Sequence, residues 1–369
     1  MANTNRSNLH ESFLQLVRLG IETSKDAKLP KDVDWYALKD LADKQGLSAI
    51  VLDALNTGGT NLTDGMPLES KLEWIGEVLQ EYEQRYELYK KAIGSLAGFY
   101  NRHGFKMMVL KGYACSQDWP KPEHRPCGDI DIWQFGQQKA ADAALAASSK
   151  FQVSGSRIDN SHHHHTVFEW KGFTVENHYD FLNVHHHKSN VELEKKLKKL
   201  GEDDTNSVEV LGNKVYLPSP NLHALFLLRH TMSNFAAAGM TLRQLLDWAF
   251  FVDKHGKEID WVWLENTLEK YGMKRLYDVF NAISVEDLGF KVNIFPSVQF
   301  LPELKERVFE DILSPEFSEI ERDGFVSRAI YKYRRWRANA WKHKLCFKES
   351  MWSAFWSGVW NHVTKPASI

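Results

Sequence analysis

The sequence predicts an α+β protein, with a small mixed sheet set between two helical regions. Three observations predict it. Apolar residues recur at helical spacing through the first hundred residues, and again beyond Pro218-Ser219-Pro220. Between these stretches lie short apolar runs of strand length. Two of those runs are separated only by Lys171-Gly172, a two-residue turn signal with glycine second. The chain divides accordingly into an N-terminal helical region (1–103), an α/β core (104–217) and a C-terminal helical domain with a basic, aromatic tail (218–369).

In chain order, Phe13, Leu16, Val17 and Ile21 mark a first amphipathic helix. Asp34 stands where a helix cap belongs, ahead of Leu38 and Leu41. Residues Ser70–Tyr100 carry Leu72, Ile75, Val78, Leu79, Tyr82, Tyr86, Tyr89, Ile93 and Leu96, the apolar stripe of one long helix. The texture changes at Gly104. Phe105–Leu110 and Ile130–Trp133 are buried-strand runs, and the Ala-rich Gly136–Lys150 is helical. Thr166–Trp170 and Phe173–Tyr179 form a hairpin. Glu192–Leu200 is a short charged helix, and Ser207–Leu217 a second hairpin around Gly212-Asn213. Helices follow at Leu222–Ser233, Thr241–His255 and Trp261–Tyr271.

Composition excludes several classes. Hydrophobic residues are 43% and charged residues 25%, which suits a folded globular chain. Lys+Arg 46 against Asp+Glu 48 gives a net charge of −2, so no global field recruits nucleic acid or an anionic membrane. Cys115, Cys127 and Cys346 make no disulfide framework and show no zinc spacing. The first twenty residues lack the pattern of a signal peptide, and no apolar stretch approaches a membrane span, so a cytoplasmic location is expected.

The chemistry concentrates in two stretches, Val109-Leu110-Lys111-Gly112 and Gly128-Asp129-Ile130-Asp131-Ile132-Trp133. Acid-x-acid pairs such as Asp32/Asp34 and Glu192/Glu194 recur by chance in an acid-rich chain. Asp129/Asp131 differs because its neighbours are apolar, a strand pattern that points both carboxylates to one face. Paired carboxylates repel unless a cation lies between them, and Mg²⁺ accepts carboxylate and phosphate oxygens together. Glu176, in the second strand of the first hairpin, is the candidate third carboxylate, as a ligand and as acceptor of a hydroxyl proton. Gly112 permits close approach of the backbone to a phosphate. Lys111 and the forked Arg125 are candidate phosphate partners.

The stretch LKGYACSQDWPKPEHRPCGDIDIW resembles the motif region of the uncharacterised nucleotidyltransferases of the DNA polymerase beta superfamily, which are similar to aminoglycoside and minimal nucleotidyltransferases. PSPNLHALFLLRH and GMTLRQLLDWAFFV are similar to the helical region of these proteins. The resemblance implies a small polymerase-beta-like mixed sheet with Gly112 at the turn, Asp129 and Asp131 as metal ligands and Glu176 as the third carboxylate. It implies two Mg²⁺ ions and an NTP such as ATP, whose NMP group passes to an acceptor hydroxyl with release of pyrophosphate. The acceptor is a small molecule, a protein or an RNA. Tyr113 departs from the small residue that usually follows the glycine. An alternative is therefore a weak or inactive nucleotide- or partner-binding module of the same fold, regulatory or antitoxin-like.

Other residues receive blander expectations. Adjacent histidines on a strand point to opposite faces, so the runs His162–His165 and His185–His187 are poor ligand geometry for zinc. One of them, or His178, is a candidate for lining a substrate pocket, as are His230 and Arg243. Arg243 and Asp247, at i and i+4, are expected to pair along their helix. The tail Tyr331–Lys348 mixes cations with aromatic residues and holds no acid. Terminal helices packed on the domain are expected there, with contact to nucleic acid or a membrane surface through residues 331–360 as the alternative.

Overall fold

A computed structural model describes residues 7–57, 62–148, 157–185, 187–296, 298–299, 301–315 and 325–352. The helices are α1 (Asn8–Gly20), α2 (Trp35–Gln45), α3 (Ser48–Thr57), α4 (Leu68–Glu77), α5 (Arg85–Arg102), α6 (Tyr113–Ser116), α7 (Gln138–Ala146), α8 (Lys188–Glu202), α9 (Pro220–Ala237), α10 (Leu242–His255), α11 (Trp261–Tyr271), α12 (Lys274–Glu286), α13 (Pro302–Leu313), α14 (Phe325–Ala338) and α15 (Ala340–Cys346). The strands are β1 (Met108–Val109), β2 (Ile130–Trp133), β3 (His165–Trp170), β4 (Phe173–His178), β5 (Ser207–Val210) and β6 (Asn213–Tyr216). They form one mixed sheet in the order β3-β4-β2-β1-β6-β5. The α+β class holds: among the described residues, helices flank one six-stranded sheet.

Local chemistry accounts for most boundaries. Asp34 caps α2 by accepting the Ala37 N–H at 3.0 Å. Lys171 and Gly172 both have positive φ (50° and 81°), as the right-handed twist of a two-residue hairpin turn requires. The second hairpin turns one residue earlier than the sequence suggests. Leu211 and Gly212 take the positive-φ positions, and Asn213 already pairs with Val210. The single helix expected over Ser70–Tyr100 is interrupted by a π-helical turn, Val78–Gln84. Trp74, Val78 and Tyr82 belong to one buried cluster, whereas Tyr86 and the residues after it belong to another. The wide turn falls where the helix passes from one core to the other.

Those two cores lie on opposite faces of the sheet. α5 and α7 cover one face with Ile130, Ile132, Phe168 and Val175. The other face contributes Met108, Trp133 and Tyr216 to a larger core shared by α1–α4 and the C-terminal helices. Strand alternation therefore turns Asp131 and Trp133 toward the helical domain. Gly201 of α8 lets that helix close on Trp133, since a Cβ there would lie 2.7 Å from the indole.

In the tail, α15 docks on α9. Lys342 is buried and pairs with Asp311 at 2.6 Å. Trp341 meets Phe235 edge-on and lies under Arg307, whose guanidinium is 4.0 Å from the ring centre. Tyr333 and Trp352 stay exposed. The expected contact surface at 353–360 lies outside the described residues, as does His186. No helix among the described residues is long and apolar enough to cross a membrane.

Candidate active site

The site is built on two parallel strands. β2 pairs with β4 in the register Asp131↔Glu176, so these carboxylates are side-by-side neighbours on one face. β2 begins at Ile130, and Asp129 stands just before it on the exposed rim instead of within the strand. The Tyr89 hydroxyl donates to the Asp129 carbonyl at 2.9 Å and anchors that rim to α5. Gly112 takes a left-handed φ of 54°, and a Cβ there would run into the Tyr89 hydroxyl. The turn after β1 thus needs glycine for both its backbone and its packing.

Asp131 is nearly sealed from solvent and has two cationic neighbours. Lys111 Nζ lies 2.8 Å from its Oδ1, and His178 Nε2 donates to the same oxygen at 3.1 Å. His178 Nε2 is also 3.4 Å from Glu176 Oε2, and His165 Nε2 is 3.8 Å from Glu176 Oε1. Burial alone would raise the Asp131 carboxyl, but Lys111 and His178 hold it far below the usual carboxylate range. Burial likewise opposes charge on His178, yet Asp131 and Glu176 outweigh it and raise the imidazole to about 9. Glu176 is lowered despite burial, chiefly by His178. Asp129 moves the other way: partial burial, then repulsion from Glu176 and Asp131, raises it. The rim carboxylate is therefore the one that lacks an adequate counter-charge.

The donor set suits a hard divalent cation. Asp131 and Glu176 bring carboxylate oxygens within 4.8 Å of each other, and Asp129 adds a further carboxylate within electrostatic reach. Among the remaining candidates, His230 on α9 faces the same place. Burial, then the nearby Lys111 cation, lowers it to about 3, so it is neutral there. Arg243 on α10 donates to the Pro126 carbonyl at 3.1 Å, in the loop leading to Asp129.

Arg125 differs from expectation. Its fork is buried and grips Asp247 at 2.7 and 2.8 Å, with a third donor on the Pro126 carbonyl. These bonds span the seam between the loop and α10. The same pair displaces the intrahelical pairing expected for Arg243, because Asp247 is already engaged by Arg125 and by the Trp119 N–H at 2.9 Å. Lys111 lies at the site but is held by Asp131. The sequence pointed to His178 as a pocket residue only; its bridging position follows from the β2–β4 register. Tyr89 was read solely as part of a helical stripe, and its hydroxyl carried no local signal.

Neither the curated proteins nor the solved structures compared with the chain contain a match. The family model of the uncharacterised nucleotidyltransferases covers residues 31–283, which takes in every residue of this site, and the chain belongs to that family.

Proposed function

We propose that the chain transfers the NMP group of an NTP to an acceptor hydroxyl. The acceptor oxygen bonds to the α-phosphorus, the bond to the bridging β-phosphate oxygen breaks, and pyrophosphate leaves. The observation that carries this reading is the register placing Asp131 beside Glu176 with Asp129 at the rim. These three carboxylates would hold Mg²⁺, as two ions, and bound there the metal offsets the charge of the triphosphate and of the departing pyrophosphate. Glu176, half-shielded and oriented by His178, is placed to accept the proton of the attacking hydroxyl. Lys111 can exchange its carboxylate partner for a phosphate oxygen, and the Gly112 turn borders that position. On this reading the acceptor would approach from the side of the helical domain, past His230, with Arg243 bonded to the loop that leads to Asp129. Positioning and electrostatics supply the catalysis.

Labelled ATP, GTP, CTP and UTP with Mg²⁺ and candidate acceptors test this, read as pyrophosphate release. Asp129→Asn and Asp131→Asn are each expected to lower the rate at least ~100-fold. Equal nucleotide binding by wild type and both variants, with no release by any, sinks the enzymatic reading.

One observation favours a second reading, a nucleotide-binding module without turnover. Lys111 and His178 already balance the charge of Asp131, and Tyr113 follows Gly112. Calorimetry showing nucleotide binding that ignores Mg²⁺ would select it.

A further inference from the structure

The expectation that the histidine run is poor ligand geometry rests on an extended strand, and the structure departs from that. β3 begins only at His165, and residues 162–164 form bends. The His164 carbonyl accepts the N–H groups of Tyr179 and Asp180 at 3.0 and 3.2 Å, which folds the bend back over the end of β4. His165 is the cross-strand partner of His178. The rings of His164, His165 and His178 consequently gather, with centroids 4.3, 5.1 and 5.4 Å apart. His163 turns away toward His185 instead, at 5.0 Å between ring centroids.

We propose that His164, His165 and His178 form a binding site for one borderline transition-metal dication, of the Fe²⁺ to Zn²⁺ series, beside the carboxylates. Each of the three offers a nitrogen, these nitrogens lie within 4.8 Å of one another, and the metal takes the place of the proton that His178 carries in the metal-free fold. Metal–nitrogen bonds of ~2.1 Å would draw them in by small ring rotations. A second observation points to a ligand. The Nδ1 atoms of His164 and His165 are buried without a hydrogen-bond partner, and His165 is only 7% exposed. Buried polar atoms are rarely left so. The donor chemistry selects the class: imidazole suits Fe, Ni, Cu and Zn, with Co between them in the series, whereas Mg²⁺ takes oxygen. Glu176, 3.8 Å from His165 and 3.4 Å from His178, supplies the carboxylate that commonly orients or completes an imidazole site. The site shares Glu176 and His178 with the proposed transferase site but needs neither Asp129 nor a nucleotide, so the two readings are testable apart.

The test uses the full-length chain without an affinity tag, stripped of metal and titrated with Co²⁺, followed by visible absorption and calorimetry. Wild type is expected to bind one Co²⁺ at least ~100-fold more tightly than Mg²⁺, with absorption bands of nitrogen ligation. His165→Ala and the milder His165→Gln should each weaken Co²⁺ binding ~10-fold or more while circular dichroism stays unchanged. His162→Ala and His185→Ala should leave it intact. Asp129→Asn should retain Co²⁺ binding while losing any transferase activity, so the two proposals fail separately. Undiminished Co²⁺ affinity in folded His165→Gln overturns the site. So does a loss that follows His162→Ala or His185→Ala, which would mark adventitious chelation by the histidine runs.

Discussion

Asp131 and His178 show how much one buried contact sets. Their bond at 3.1 Å fixes the imidazole between two carboxylates and makes the pair dependent on pH. His178 is raised from 6.5 to about 9 in the fold. Its contribution is therefore complete below pH 6.5 and is lost as the pH rises through about 9. His165, lowered by burial to about 4, and His230, lowered to about 3, act in the opposite direction. They are neutral in the fold and protonate more readily when unfolded, so stability falls as the pH drops below about 6.5. Denaturant unfolding across pH should give a maximum near neutrality. The alkaline limb is expected to fall by up to about 3 kcal/mol. His178→Gln should flatten that limb, and an unchanged limb would contradict the assignment. Residue types and spacing made Asp129, Asp131 and Glu176 legible. The partners of Asp131 were not legible as such, because Lys111 and His178 come from segments that only the sheet brings together.

At the scale of elements, the legible features were those written within a few residues. The Lys171-Gly172 turn and the Asp34 cap follow from local backbone and side-chain preferences. The Leu211-Gly212 turn was misplaced by one residue because Leu211 adopts a positive φ that its type disfavours. Long-range pairing overruled helical spacing at Asp247. Its carboxylate meets Arg125 across 122 positions of sequence and joins the loop before β2 to α10. Arg125→Ala is expected to destabilise the protein by roughly 3–5 kcal/mol, since it strands a buried carboxylate. Arg125→Met combined with Asp247→Asn should recover much of that loss, because the amide removes the unpaired charge and can still accept from Trp119. Chemical denaturation of wild type, Arg125→Met, Asp247→Asn and the double variant checks it, and additive effects of the two single substitutions would refute the coupling.

At the scale of the molecule, Arg229 ties the C-terminal segment to the rest. It is fully buried on α9 and bonds Asn190 Oδ1 at 2.9 Å, Ser189 Oγ at 3.0 Å and the Cys346 carbonyl at 2.9 Å. Its guanidinium also lies 4.3 Å from the centre of the Phe347 ring. Arg229→Ala would leave Asn190 Oδ1 and the Cys346 carbonyl buried without this donor, at a cost of roughly 2–4 kcal/mol. Limited proteolysis should then cut within α14–α15 well before wild type is cut there. Equal cleavage rates would show that α15 docks through Lys342 and Trp341 alone. One core gathers Phe13, Trp133, Trp248 and Phe309 from the N-terminal, central and C-terminal parts of the chain.

The α+β class, the hairpin at Lys171-Gly172 and the candidate carboxylates Asp129, Asp131 and Glu176 were legible in the sequence alone. Each of these is encoded by the period of side chains along a strand or helix, or by the residues of a tight turn. Tertiary structure alone decided which charges meet: Lys111 and His178 on Asp131, Arg125 on Asp247, and three imidazoles at one corner of the sheet. Strand register and the bend before β3 set those meetings. Both depend on how distant segments pack to bury apolar surface and pair their backbone groups, which no local pattern records.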